Sequence, residues 1–348
     1  MNPAWLREPA ETFCITHSLN LNKGFPVFDK LHIRKVKLAA VAALFAPLLS
    51  FAQATPTPLK VAIIPTLEAA PLILARDKGF FKEQNIDATI EIGTSGATIL
   101  PGVLSGQYDI GYANVVSDLQ AIDKKLPLLL LHATYSHPLK AADDPYQIYV
   151  DPNGKISDPK QLATANIGTP YINNISEWTT KKSLENLGVK DFEKLRWTKV
   201  SGEDAYSSVK SGAIDAVWLA QPAGAAAVKA GLKPLLAVNS GSMPGAVGGY
   251  FITSRKFAGA NADLLNRFNA AIAKANDYAA KNGNESRDAV IKNFNFNKEL
   301  VYAAKLNVFS NNPGLKDLKV IAQDLLRYGL IKQPVNVDDI FWKPVPAK

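Results

Sequence analysis

From residue 59 to residue 253 the hydrophobic period of the sequence keeps switching: short β-branched runs that suit strands alternate with amphipathic segments that suit helices. The runs fall at 59–64, 88–92, 108–112, 128–134 and 147–150, and again at 165–168, 195–200, 214–219, 234–238 and 250–253. Helical patterns such as PLILARDKGFF, ATILPGVLSG, SEWTTKKSLENLG and AYSSVKSG lie between them. Such a chain has few choices, because strand, helix and strand in succession imply crossovers between mainly parallel neighbours. It predicts an α/β fold. Beyond Arg255 the strand signal stops, and 261–282, 286–294, 298–309 and 314–329 read as helices alone.

The α/β part contains an echo of itself. VLSGQYDI at 103–110 recurs as VKSGAIDA at 209–216, at the same point of two successive units. In each, a glycine able to adopt the left-handed conformation closes a helix, and a strand is expected two residues later. Two similar sheet-based lobes are therefore expected. In open α/β sheets a ligand sits outside the carboxyl ends of the strands, so facing lobes place it in the cleft between them.

The chain has 348 residues, 47% of them hydrophobic and 20% charged, enough for two ordinary domains and too apolar for disorder. Before Thr55 the reading differs. Arg34, Lys35 and Lys37 precede fourteen uncharged residues, 38–51, and then Ala52-Gln53-Ala54. This layout predicts a secretory signal peptide cleaved after Ala54, within a leader spanning 1–54. The apolar run is shorter than the roughly 20 residues that span a bilayer. An exported, periplasmic protein is expected, with a net charge of +5 in place of +8 once the leader is removed. Cys14, the one cysteine, leaves with it, so neither a disulfide framework nor a CxxC metal or redox site is available. The 39 basic residues are scattered and only modestly outnumber the 31 acidic ones, which argues for solubility and against nucleic acid as a partner.

The strand ends carry the candidate chemistry. Thr66, Leu67 and Glu68 follow the first strand; Thr94, Ser95 and Gly96 the second; Tyr112 and Asn114 the third. In the second lobe Thr169, Tyr171 and Asn173 follow one strand and Gln221 another. These loops are rich in hydroxyls, amides and aromatics and contain no lysine or arginine. Helix N-termini could still attract an anion there. Ser95 and Asn114 are equally suited to capping their own helices, Asn174 and Glu177 to a capping box, and Pro222 to a first helical position behind Gln221. Trp178 and Trp218 are expected in the core, and Tyr112, Tyr171 and Tyr250 stand between core and site. Glu68 is expected mainly as a favourable charge on a first helical turn; facing the cleft, it would repel a plain anion and favour an amine or hydrogen-bond donor.

Catalytic signals are missing. After the leader only His132 and His137 remain, and GxSxG, HExxH, GxxxxGK[ST] and a GxGxxG after the first strand are absent. Binding without turnover, and without metal or cofactor, is the expectation.

KVAII at 60–64 and APLILARDKGFFKEQNIDA at 70–88 resemble the opening of the nitrate, sulfonate and taurine type of periplasmic substrate-binding protein of ABC importers. Asn85-Ile86-Asp87 stands where that family has Gly-Leu. LSGQYD at 104–109, KSGAID at 210–215 and Gln221-Pro222 continue the likeness. The resemblance implies a type II periplasmic-binding-protein fold with a hinge and a helical C-terminal tail. Lobe one would comprise 55–147 plus 250–348 and lobe two 148–249. It implies a small organic anion as solute, sulfonate or taurine-like, with the ligand loops falling on the strand-end residues named above. It further implies a permease and its ATPase as partners of a monomer. Two other uses of the fold are an enzyme or binding protein of thiamine-pyrimidine metabolism, the enzyme needing a histidine and a cysteine-rich loop at the cleft, and a sensory module with an added signalling domain.

Overall fold

The computed structural model describes residues 55–343 apart from 203. The expected leader at 1–54 lies outside the described residues. Each of the ten expected strands forms. β1 (Thr57–Ile63), β2 (Ile86–Ile92), β3 (Ile110–Asn114), β4 (Leu128–Ser136) and β10 (Val247–Ser254) build a first sheet. β5 (Tyr146–Val150), β6 (Asn166–Thr169), β7 (Arg196–Lys199), β8 (Ala216–Ala220) and β9 (Lys233–Ala237) build a second. An eleventh strand, β11 (Val308–Phe309), corrects the expectation of a purely helical tail. The helix there stops at Ala303, and Val308 and Phe309 pair with Ser136 and Tyr135 at the edge of β4. β-branched and aromatic residues beside an open strand edge take the strand form despite a helical neighbourhood.

The sheet orders are β11-β4-β10-β3-β1-β2 and β7-β6-β8-β5-β9. In both, two parallel pairs surround one strand, β1 or β6, and a strand that has crossed from the other sheet, β10 or β5, runs antiparallel to them; β11 also runs antiparallel at the edge of the first sheet. The sequence echo has a mechanical basis. Asp109 accepts a hydrogen bond from the backbone N–H of Lys60 at 2.8 Å, and Asp215 does the same for Asn166 at 2.8 Å. Each aspartate thus ties the start of a third strand to its parallel neighbour. Gly106 and Gly212 take the left-handed conformation, with φ of 81° and 75°. The strands start four residues after these glycines, not two, because the aspartate occupies the step between.

The chain passes between the sheets twice, through 137–145 and 238–246. Asp144 of the first crossing accepts from the backbone N–H and the hydroxyl of Ser240 in the second, at 2.7 and 2.8 Å. The N–H of His137 donates to the carbonyl of Ala246 at 2.7 Å. These bonds strap the two crossings into one hinge. Burial pushes the His137 imidazole down to about 4 and the Asp144 carboxyl up to about 6.

The tail packs by its amphipathic faces. Helix Ala262–Lys281 lays Leu265, Phe268, Ile272 and Ala275 into the core of the first sheet, with Phe268 stacked on Phe81 at 5.8 Å. Helix Leu315–Arg327 lies against helix Ile175–Asn186 of the second sheet: Arg327 pairs with Glu185 and Lys182 reaches Asp324 at 3.3 Å. No helix among the described residues is long and apolar enough to cross a membrane.

Candidate functional site

The carboxyl ends of β1, β3 and β4 face those of β6 and β8 across a cavity of about 1030 Å³. That is the crevice which strand polarity prescribes. Thr66, Glu68, Tyr112, Asn114, Thr169, Tyr171 and Gln221, all expected at the site, line it. Leu67 does not; it is 1% exposed and belongs to the core beneath the first turn. Thr94, Ser95 and Gly96 lie off the cavity wall: Ser95 caps helix Gly96–Ser105 in a capping box with Thr98, and Gly96 packs on Ala113. Asn173, at φ 54°, presents its carbonyl to Gln120 at 2.9 Å and also lies off the wall.

Wall and off-wall residues together join the two parts of the molecule along one rim. Tyr171 donates its hydroxyl hydrogen to the Thr94 carbonyl at 2.6 Å. Asn114 Nδ2 donates to Asn174 Oδ1 at 2.8 Å, and Asn174 Nδ2 donates to Ser117 Oγ at 3.0 Å. Asn174 Oδ1 also accepts from the N–H of Ile175, the first of helix Ile175–Asn186, while Asn114 Oδ1 accepts from the N–H of Ser117 in helix Val115–Asp123, so each capping side chain also bonds across the rim. On another side Lys229 meets Glu299 at 2.7 Å, both well exposed. Nearby, Phe296 and Leu300 of the tail complete the cavity wall.

Glu68 faces the cavity, contrary to the preferred expectation of a purely helix-terminal charge. It is 6% exposed and accepts the Tyr112 hydroxyl hydrogen. Burial pushes its carboxyl up to about 7, and the bond from Tyr112 offsets part of that rise. Burial and the Glu68 charge together push the phenols of Tyr112 and Tyr135 well above their ordinary range, which places both rings in the field of that carboxylate. Among the described residues lining the cavity there is no lysine, arginine or histidine, and Glu68 supplies the one carboxylate.

An aromatic wall continues from this group. Tyr135 stacks on Tyr146 at 5.8 Å, and Tyr146 tilts against Trp218 at 5.5 Å. Tyr135 ends β4 and Tyr146 begins β5, so the wall runs across the first crossing from one sheet to the other. Gly248 and Gly249 of β10 make room for it. A Cβ at Gly248 would overlap the Tyr135 ring, and one at Gly249 would stand 2.9 Å from the Tyr112 ring. Trp218, expected in the core, is well buried yet forms part of the cavity wall, and its indole N–H has no protein partner. Trp178 is core as expected, whereas Tyr250 leaves the site and donates to the Pro313 carbonyl at 2.8 Å. Tyr146 and Phe296 were not legible as site residues, since only the folding of the first crossing and the tail brings them there; Ser201 and Tyr206 follow the end of β7, a strand end that was not expected at the site.

A family model described as NMT1/THI5 like matches residues 66–286. The 4-amino-5-hydroxymethyl-2-methylpyrimidine phosphate synthases THI12 and THI5 of Saccharomyces cerevisiae are each 25% identical to this chain over 154 residues, 44% of this chain and 42% of theirs. The match thus spans less than half the length of those relatives. Among solved structures, the periplasmic aliphatic sulphonate binding protein SsuA from Escherichia coli superposes with a TM-score of 0.69 at 15% identity, over 84% of this chain and 94% of that one. The periplasmic nitrate-binding protein NrtA from Synechocystis PCC 6803 gives 0.66 at 14% identity, over 82% and 84%. These likenesses establish a periplasmic-binding-protein fold for the chain, with two sheets and a helical C-terminal region.

Proposed function

The chain belongs to the NMT1/THI5-like family, and from that premise we propose that it is the solute-binding component of an ABC importer, capturing a small organic solute in the cleft and delivering it to a membrane permease with its ATPase. The observation that carries the reading is the position of the cavity. It lies between two sheets joined by two strapped crossings, and its rim is held by a few side-chain bonds that can break without unfolding either sheet. Such a molecule has open and closed states, and a solute that touches both walls favours the closed one by its differential affinity. Export to the periplasm, a monomeric state, and lobes bounded as the sequence suggests complete the proposal.

The solute classes implied by the resemblance divide at Glu68. A plain sulfonate or nitrate meets no cationic side chain among the described lining residues, whereas a taurine-like zwitterion brings an ammonium that a carboxylate can accept. A thermal-shift panel of sulfonates, carboxylates, oxyanions and amines, followed by X-ray scattering on the hits, tests the reading. Capture requires a rise in melting temperature together with a smaller radius of gyration. A shape unchanged by every solute would end the proposal.

A second reading, an enzyme of thiamine-pyrimidine metabolism, is favoured by the yeast relatives. Against it stands the placement of the histidines: neither His132 nor His137 lines the cavity, and His137 is 1% exposed within the hinge. Mass spectrometry of bound solute before and after incubation separates the readings, because capture returns it unchanged.

A further inference from the structure

We propose that the solute selected by this cleft carries a cationic nitrogen on a compact or flat apolar body, and that anions lacking one are rejected; the inference rests on the capture reading and names its substrate class. The buried carboxylate carries the charge assignment, the aromatic wall the shape of the body, and the capped helix ends the rejection of anions.

The first is the carboxylate itself. Glu68 is more than nine-tenths buried, lines the cavity, and has the Tyr112 hydroxyl as its one protein hydrogen-bond donor. A buried carboxylate with so little compensation gains most from a positive partner. No described lining residue supplies one, so once the carboxylate is ionised its complement is left for the solute to bring.

The second is the aromatic wall. Tyr135, Tyr146 and Trp218 form a continuous stack beginning beside Glu68. Such rings offer flat apolar area with a polar tip, so this wall suits a compact or flat apolar body beside the carboxylate.

The third concerns the helix ends that would otherwise hold an anion. The helices opening at Leu67, Val115 and Ile175 each start beside a lining residue, and each carries an acid in its own first turn: Glu68, Asp118 and Glu177. All three acids are buried, at 6%, 1% and 7% exposure. The Asn114 and Asn174 side-chain oxygens already accept N–H groups of the helices opening at Val115 and Ile175, so those two ends are occupied from within the chain, and Glu177 pairs with Lys181 at 2.7 Å.

The test uses three probes with the same ring and different charge: benzylamine, benzyl alcohol and benzenesulfonate, titrated calorimetrically into the full chain at about pH 8, with scattering recorded at saturation. Benzylamine is expected to bind about tenfold more tightly than benzyl alcohol, the size of a charge-assisted hydrogen bond to a carboxylate, and benzenesulfonate to show no saturable binding. In Glu68→Gln the preference for the amine over the alcohol should shrink at least several-fold, and Glu285→Gln, which alters an exposed carboxylate away from the cavity lining, should keep it. Saturable benzenesulfonate binding with compaction would overturn the charge assignment and leave solute capture standing. An amine preference unchanged in Glu68→Gln would also overturn it. If no probe binds or compacts the chain, and the wider panel is equally silent, capture and charge assignment fall together.

Discussion

Glu68→Gln tests the electrostatics of the site without any ligand. Burial raises the Glu68 carboxyl from its ordinary 4.5 to about 7 in the folded chain. Below 4.5 the group is protonated whether the chain is folded or not, and it contributes no difference. Between 4.5 and 7 the folded state holds a proton that the unfolded state has released, so stability falls as the pH rises. Above 7 the group is ionised in both states and the loss is complete. At about 1.4 kcal/mol for each tenfold change in proton affinity, the ionised carboxylate costs the folded state about 3 kcal/mol. Glutamine keeps the shape and an oxygen for the Tyr112 hydroxyl, and it carries no charge. Urea denaturation of wild type and variant from about pH 4 to pH 8 should therefore give curves that converge near pH 4 and separate as the pH rises, the variant becoming the more stable by up to about 3 kcal/mol. Taking the difference cancels His137 and Asp144, which titrate in overlapping ranges in both proteins. A difference that stays flat across this range would refute the argument, because Glu68 would then be solvated or paired, and the case for a cationic solute would lose its main support.

Asp118 is 1% exposed, neither carboxylate oxygen has a partner, and burial pushes its carboxyl well up. Asp118→Asn should accordingly gain stability over wild type as the pH rises from the ordinary aspartate range toward neutrality, measured by the same denaturation series. Gly248→Ala places a methyl into the Tyr135 ring and should cost about 1–3 kcal/mol by overpacking while weakening solute binding; unchanged affinity in calorimetry would show that the ring is not part of the wall. Asn174→Ala removes both cross-rim bonds and a helix cap, so scattering should show a larger ligand-free radius of gyration and denaturation a loss of about 1 kcal/mol. Lys229→Ala breaks a pair whose side chains are 62% and 70% exposed, and its melting curve should shift by well under 1 kcal/mol.

What could be read in advance divides along a physical line. Strand positions were legible because a buried parallel sheet writes its demands locally, as β-branched runs with helix stops between them. The SG-x-x-D echo was legible as a repeat, but its purpose was not: the side chains of Asp109 and Asp215 act on strands 49 residues earlier in the chain, and no local pattern announces that reach. The strand-end residues of the site were legible from sheet polarity, and most of them line the cavity. Leu67 failed because a 3₁₀ turn rotates successive side chains, turning Leu67 inward and Glu68 toward the cleft. That same rotation explains why a residue suited to a helix terminus also becomes the floor of the site. The aromatic wall was the least legible part, since Tyr135 and Tyr146 meet only when the first crossing folds, and Phe296 arrives from the tail. One local sign was nevertheless present. Two adjacent glycines, Gly248 and Gly249, stand near the start of β10, just before its aromatic and β-branched run, and weaken that end of the strand unless something large must lie against it. The structure supplies the two rings, Tyr135 and Tyr112, that flank the buried carboxylate. A glycine pair in the strand that returns to the first sheet thus marks where aromatic rings crowd around a charge, and it ties the composition of β10 to the lining of a cleft built largely from other strands.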